Sequence, residues 1–265
     1  MKFIDLSTPI YNNTLGELPI MAPKIEYSDH DAGTEQLSFI YPKIIPDQHL
    51  PLGKGWATET ITLGTHSGTH MDAPWHYGPI QDREIGEKEA MKIDEVPLEW
   101  CIGPLIVLDL KDKEDGYFMA PEDIDQKLDD IGHKLQEGDI LCLNTNAAKF
   151  FGTPKYMYYG AGVGKEGTLH IIRQGVHIVG TDAWSWDPPL PLTAKKWKVT
   201  VKAKHPNPSI IWEGHFAGIE LGYFQMEKLT NLDKVPPVGA TIYCFPIKIA
   251  HASAGWVRAV ATIPE

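Results

Sequence analysis

The chain has 265 residues, 43% of them hydrophobic, which is enough for a substantial core without disulfide or metal staples. Its formal charge of −11 excludes the basic surface that phosphate binding relies on, so no nucleic-acid partner is expected. No window approaches the ~18 apolar residues of a membrane span, and the opening MKFIDLSTPI has no long apolar stretch, so no membrane association and a cytoplasmic location are the expectation.

Short apolar runs bounded by Gly and Pro dominate the chain, without repeats or heptads. The first strand candidate is Phe3 to Ile10. A polar stretch, Ser28 to Gly55, follows; Pro42, Pro46 and Pro51 interrupt it, and it reads as a loop insertion. Further strands are expected at Glu59 to Leu63, Leu105 to Leu110 and Asp139 to Leu143. A helix should start at Pro121 and carry Ile124, Leu128, Ile131 and Leu135 at helical spacing, with Gly132 blurring its end. A second should run from about Lys165 to Gln174, stopped by Gly175 before a strand from Val176 to Gly180. Trp186 to Pro208 holds five prolines and reads as another loop. A third helix is expected from about Glu213 to Lys228, then strands at Thr241 to Phe245 and Trp256 to Ile263. Cys101, Cys142 and Cys244 show no paired spacing and read as buried thiols. The mixture points to an α/β domain and not to a regular βαβ array.

Three of the eleven histidines fall within eleven residues. His66, His70, Asp72 and His76 follow the pattern H-x3-H-x-D-x3-H. A helix fits this poorly, because Gly68 lies between the histidines, Thr65 and Thr69 are β-branched, and Pro74 interrupts the ladder. An extended chain puts all four on one side. A straight strand would hold His66 and His70 about 13 Å apart at ~3.3 Å per residue, too far to share an ion. The chain must therefore bend, and Gly68 is the residue that permits it. Two imidazoles and a carboxylate suit Zn, Mn or Fe and leave positions open for water and substrate. His76, beyond Pro74, is read as the acid/base, with the role of a fourth ligand left open.

The run His66-Ser67-Gly68-Thr69-His70-Met71-Asp72-Ala73-Pro74-Trp75-His76 resembles the signature of the cyclase-type metal hydrolases, the family of bacterial kynurenine formamidase and isatin hydrolase. Ile4-Asp5-Leu6-Ser7-Thr8-Pro9-Ile10, Gly138-Asp139-Ile140 and the stretch Gly175 to Pro188 with Asp182 resemble other parts of it. The resemblance covers most of the chain, and is weakest in Ser28 to Gly55 and from Trp186 to Trp212.

The resemblance implies one swivelling β/β/α domain with a central mixed sheet, with loop insertions near 28–55 and 186–212. It also implies a homodimer or homotetramer, and hydrolysis of an amide-like C–N bond in a small molecule. It adds His215 and Glu227 to the expected metal ligands His66, His70 and Asp72, and leaves open one ion or two. A regular helix would separate His215 and Glu227 by roughly 18 Å and 120°, so the segment must bend or begin as a loop. Read without the resemblance, Glu227 is a solvated helix residue.

Trp75, Tyr77, Trp184, Trp186 and Phe216 adjoin these positions in sequence and are candidates to line a pocket for a planar ring. Lys195, Lys196, Lys198, Lys202 and Lys204 read as a solvated or oligomer-contact segment, with attraction of a substrate carboxylate as the alternative. The chain is longer than expected of a minimal formamidase, which favours a cyclic amide, imide or lactone over an N-formyl arylamine. A metal-dependent lyase, dehydratase or cyclase and a non-catalytic metal binder remain the competing readings.

Overall fold

The runs at 105–108 and 140–143 are apolar at nearly every position, as strands covered on both faces must be. They form the middle of one mixed sheet in the computed structural model, which describes residues 1–12 and 14–264. Its strands, in chain order, are β1 (Lys2–Asp5), β2 (His70–Asp72), β3 (Ile102–Asp109), β4 (Ile140–Asn144), β5 (Ile178–Thr181), β6 (Phe224–Glu227), β7 (Ala240–Tyr243), β8 (Ala254–Trp256) and β9 (Val260–Ile263). Their order is β1-β9-β7-β3-β4-β5-β6-β2-β8. The neighbours from β3 to β6 run parallel, and the pairs on either side are antiparallel.

Period-two alternation sends the side chains of each central strand to two cores. Leu105, Val107, Ile140, Cys142 and Ile178 share one core with Ile4, Met71, Met226 and Ala261. Strands from both flanks of the sheet meet there, so the sheet curls around this core. Ile106, Leu108, Leu141, Leu143 and Val179 face the other way, against Ile124, Leu128 and Ile171. Each such side chain, taken out of water, contributes about 1.5–3 kcal/mol.

The helices are α1 (His30–Ile40), α2 (Pro46–His49), α3 (Pro74–Tyr77), α4 (Pro121–Asp130), α5 (Lys165–Ile172), α6 (Leu190–Lys202) and α7 (Glu213–Glu220). α4 begins at Pro121 as the sequence predicts. It ends early because Ile131 is its cap and Gly132 turns left-handed at φ +66°.

Several expectations are corrected. The two proline-rich segments contain helices: Asp29 caps α1 by accepting from the amides of Asp31 and Ala32, and α6 starts just after Pro189 with Pro191 in its first turn, where proline is tolerated. Both were hidden because they bury almost nothing, only Gly33 in α1 and Thr193 in α6, so no apolar stripe marks them. The helix expected over 213–228 stops at Glu220, and 224–227 is a strand. There, pairing with β5 and β2 overrides the helix preference of Gln, Met and Glu. The first strand ends at Asp5, well short of Ile10. The last candidate divides into β8 and β9 around Val257 to Ala259. Residues Thr58–Thr62 do form a strand, but it pairs with Lys24–Ser28 outside the main sheet.

Candidate metal centre

β2 is three residues long and wholly buried, paired on both sides. Its register sets His70 opposite Glu227, Met71 opposite Met226 and Asp72 opposite Gln225. Alternation therefore sends Met71 and Met226 into the core and gathers His70, Asp72, Gln225 and Glu227 on the other face. His66 joins them from the preceding turn, where Gly68 adopts φ +62°. The chain bends at the residue singled out in the sequence. Pro74 opens α3, which carries His76 over the site, its ring 4.0 Å from that of His66.

His215 comes from α7. Asp187 accepts from the amides of Gly214 and His215 at the start of that helix, at 2.8 and 3.0 Å, and from His215 Nδ1 at 2.5 Å. His215 Nε2 is thereby left as an acceptor facing the site. His70 is fixed the same way: its Nδ1 lies 2.9 Å from the carbonyl of Gly68, leaving Nε2 for the centre. His66 Nδ1 lies 2.7 Å from Asp72 Oδ1, with its Nε2 against Ser253 Oγ at 3.1 Å.

The donor set converges closely. His70 Nε2 is 3.2 Å from Asp72 Oδ1 and 3.6 Å from Glu227 Oε2, and His215 Nε2 is 3.5 Å from Glu227 Oε1. Ligand atoms of His66, Asp72 and His76 lie within 4.8 Å of one another, as do those of His70, Asp72 and Glu227. Among the described residues, His70 Nε2 and Asp72 Oδ1 are buried without a well-directed hydrogen bond, although His66 Nδ1 and His70 Nε2 stand 2.7 and 3.2 Å from that oxygen. Orphaning two such atoms at one point costs free energy unless something with positive charge joins them. A divalent metal fits this need, and the donors are of the borderline type it takes.

Burial is the dominant electrostatic influence. It drives the His76 imidazole down to about 3, against the opposing pull of Asp72, so the ring is neutral at neutral pH. It lowers His70 and raises the Glu227 carboxyl well above its usual range, helped there by the charge of Asp72. Burial also pushes Asp72 upward, but His70, His66 and His76 together outweigh it and hold that carboxyl well below the ordinary range.

A cavity of about 210 Å³ opens onto the cluster, lined by Met21, His66, His76, Trp184, Ser185, Leu190, Trp212, His215 and Glu227. A roomier cleft of about 460 Å³ between Thr8, Phe245, Trp256 and Arg258 lies outside both groups of convergent ligands, so the donor set and not volume marks the candidate site.

Of the aromatics flagged in the sequence, Trp184 lines the cavity. Tyr77 is buried beside it, edge-on to His215 and stacked on Tyr223. Trp186 is fully buried in the core, where its indole donates to Thr168 and only its backbone amide reaches Glu227, at 3.1 Å. Trp75 is exposed beneath Lys92, and Phe216 is exposed beside Trp212. The lysines of α6 and its end are exposed and none lines the cavity, Lys196 reaching the carbonyl of Gly116 instead.

Sequence reading missed Trp212, which stacks on His215 at 4.1 Å, together with Asp187, Gln225 and Ser253. Gln225 shares strand parity with Glu227, a signal lost when the segment was read as helix. Asp182, by contrast, is spent on the amides and hydroxyl around Thr145 to Ala148.

The family model Cyclase, described as "Putative cyclase", matches residues 4–188, and the chain belongs to that family. It is 23% identical over 230 residues to the isatin hydrolase of Roseibium aggregatum, covering 80% of this chain and 77% of that one. It is 28% identical over 203 residues to the kynurenine formamidase of Salinibacter ruber, covering 76% and 77%. Among solved structures, an isatin hydrolase bound to the product analogue thioisatinate superposes with a TM-score of 0.70 at 18% identity, over 100% of this chain and 93% of that one. Among the described residues no helix is long and apolar enough to cross a membrane.

Proposed function

We propose that this protein is a metal-dependent hydrolase that cleaves an amide-like C–N bond in a small, flat substrate. The observation that carries the reading is the pair of orphaned buried atoms, His70 Nε2 and Asp72 Oδ1, which adjoin Glu227 and His66 in the lining of an aromatic-walled cavity. The names of the relatives, an isatin hydrolase and kynurenine formamidases, support the reaction class. His66, His70 and Asp72 would hold the ion, with His215 and Glu227 facing it. Zn and Mn are the metals best matched to such a set. When bound, the ion supplies Lewis acidity at neutral pH.

The chain's own residues account for the rest. Trp184 and Trp212 line the cavity and would orient a planar ring. His76, neutral at neutral pH and over His66, would accept a proton from the water that attacks the carbonyl carbon and return it to the nitrogen as the C–N bond breaks. His215, oriented by Asp187, keeps its Nε2 as an acceptor toward the same space.

Three further expectations belong to this reading. One sheet recruits strands from both ends of the chain and supports a single domain. Cys101, Cys142 and Cys244, free and buried, support a reducing, cytoplasmic setting. Exposed Tyr27, Phe39, Tyr41, Trp56 and Ile61 on the excursion over residues 24–62 support a homodimer or homotetramer, which light scattering measures.

Metal-loaded protein incubated with cyclic amides, imides, lactones and N-formyl anilines should either open one of the rings to a product heavier by one water or split an N-formyl aniline into the aniline and formate. His76→Ala should lose that conversion while retaining metal. A product lighter by one water would replace hydrolysis by a lyase reaction, and undiminished turnover in His76→Ala would remove His76 from its role.

A further inference from the structure

Two donor sets share Asp72, and they are satisfied differently. On the Oδ1 side are His66 Nδ1 and His70 Nε2, and that side holds both orphaned atoms. On the Oδ2 side are His215 Nε2, 3.9 Å away, and Glu227 Oε1, 3.5 Å from that nitrogen. These spacings also suit an ion, since two ligands ~2.1 Å from a tetrahedral centre stand ~3.4 Å apart.

The second set, however, is already served. Gln225 is fully buried, and its Nε2 lies 2.7 Å from His215 Nε2, 3.0 Å from Glu227 Oε1 and 3.2 Å from Asp72 Oδ2. A primary amide has two N–H donors, and these three acceptors share them.

The orientation of the amide follows from its surroundings. Its oxygen lies 2.9 Å from the Tyr223 hydroxyl, whose one hydrogen it shares with the Gly214 carbonyl at 2.8 Å. Turned over, that oxygen would face oxygens of the Asp72 and Glu227 carboxyl groups and the lone pair that Asp187 leaves on His215 Nε2. Donor hydrogens, with their partial positive charge, are what this point requires.

We propose that the Gln225 amide stands in for a second cation, so that the chain binds one divalent ion at His66, His70 and Asp72 even though it carries the carboxylate, Glu227, that a two-ion centre uses. The inference rests on the metal-dependent reading above. Gln225 is then a positioning residue: it holds Asp72, His215 and Glu227 in place and bridges their side chains without a metal between them.

Chelator-stripped protein titrated calorimetrically with Mn²⁺ and with Zn²⁺, then counted by plasma mass spectrometry, should take up one ion per chain. Diffraction from loaded crystals at the metal absorption edge should show a single peak among His66, His70 and Asp72. Gln225→Ala, which removes the amide and leaves space, should take up a second ion among Asp72, His215 and Glu227, raising the count from one to two.

Two ions in the unaltered protein, or one peak between His215 and Glu227, would overturn the inference. So would a folded Gln225→Ala that still binds one. No uptake at all would instead overturn the metal-dependent reading. If Gln225→Ala does not fold, the count and peak position in the unaltered protein decide the matter.

Discussion

The strands Thr58–Thr62 and His70–Asp72 are close in sequence and both mix polar with apolar residues, yet one is exposed at every position and the other buried at every position. The first pairs only with Lys24–Ser28, in a two-stranded ribbon apart from the main sheet. The second lies between β6 and β8, so its histidine and carboxylate are stripped of water and set against Gln225 and Glu227. Polar side chains become a site here because the sheet desolvates them together. Left on the ribbon, the same residue types would be a solvated surface.

That contrast gives an ordered set of expected effects. The largest should come from the buried strand. Asp72→Asn keeps the shape but removes the charge that both donor sets share. Metal affinity and turnover should fall by more than the roughly 10–100-fold typical of residues that only orient a ligand, as read by metal titration and steady-state kinetics.

Next is the support beneath the bend. Lys228 is fully buried, pairs with Glu17 at 2.7 Å and donates to the carbonyl of His66 at 2.9 Å. Glu17 in turn accepts from Trp184 in the cavity wall. Lys228→Met strands a buried carboxylate and should cost about 3–5 kcal/mol, measured by urea unfolding. A loss below 1 kcal/mol would show that the segment around Glu17 opens freely.

Asp187→Asn should act more gently. It weakens the hold on the His215 ring without touching the cavity, and a roughly tenfold loss of turnover is expected, with little change in melting temperature. A change in the pH profile would distinguish this from simple loss of packing.

The smallest effects belong to the ribbon and its helix. Tyr27→Ser or Phe39→Ser, on exposed positions, should move monomer stability by less than about 0.5 kcal/mol. The same substitutions should shift the oligomeric state if this excursion joins chains. Light scattering that registers no change would return the segment to the status of a plain surface insertion.

Much of the buried half was legible beforehand. The spacing of His66, His70, Asp72 and His76 singled out side chains that the fold does bring together, Gly68 marked the bend, and Pro74 separated His76 from the strand. The central strands were legible because residues buried on both faces must be apolar almost throughout. The exposed half was misread for the complementary reason. α1 and α6 bury too little to leave a stripe, so their prolines were the loudest signal, and both were taken for loops. The segment 213–228 failed differently: its composition favours a helix, but the slot beside β2 accepts only a strand for its second part.

What the sequence determined alone is therefore local: which residues have ligand chemistry, where the backbone must turn, and which runs must be covered on both faces. Only the tertiary structure decided who meets whom. Pairing of β6 with β2 set Gln225 opposite Asp72 and Glu227 opposite His70, α7 brought His215 across, and Asp187 fixed its ring. These partners are more than a hundred residues from the histidine cluster. Register and desolvation are properties of the assembled sheet, so no local pattern of residues encodes them.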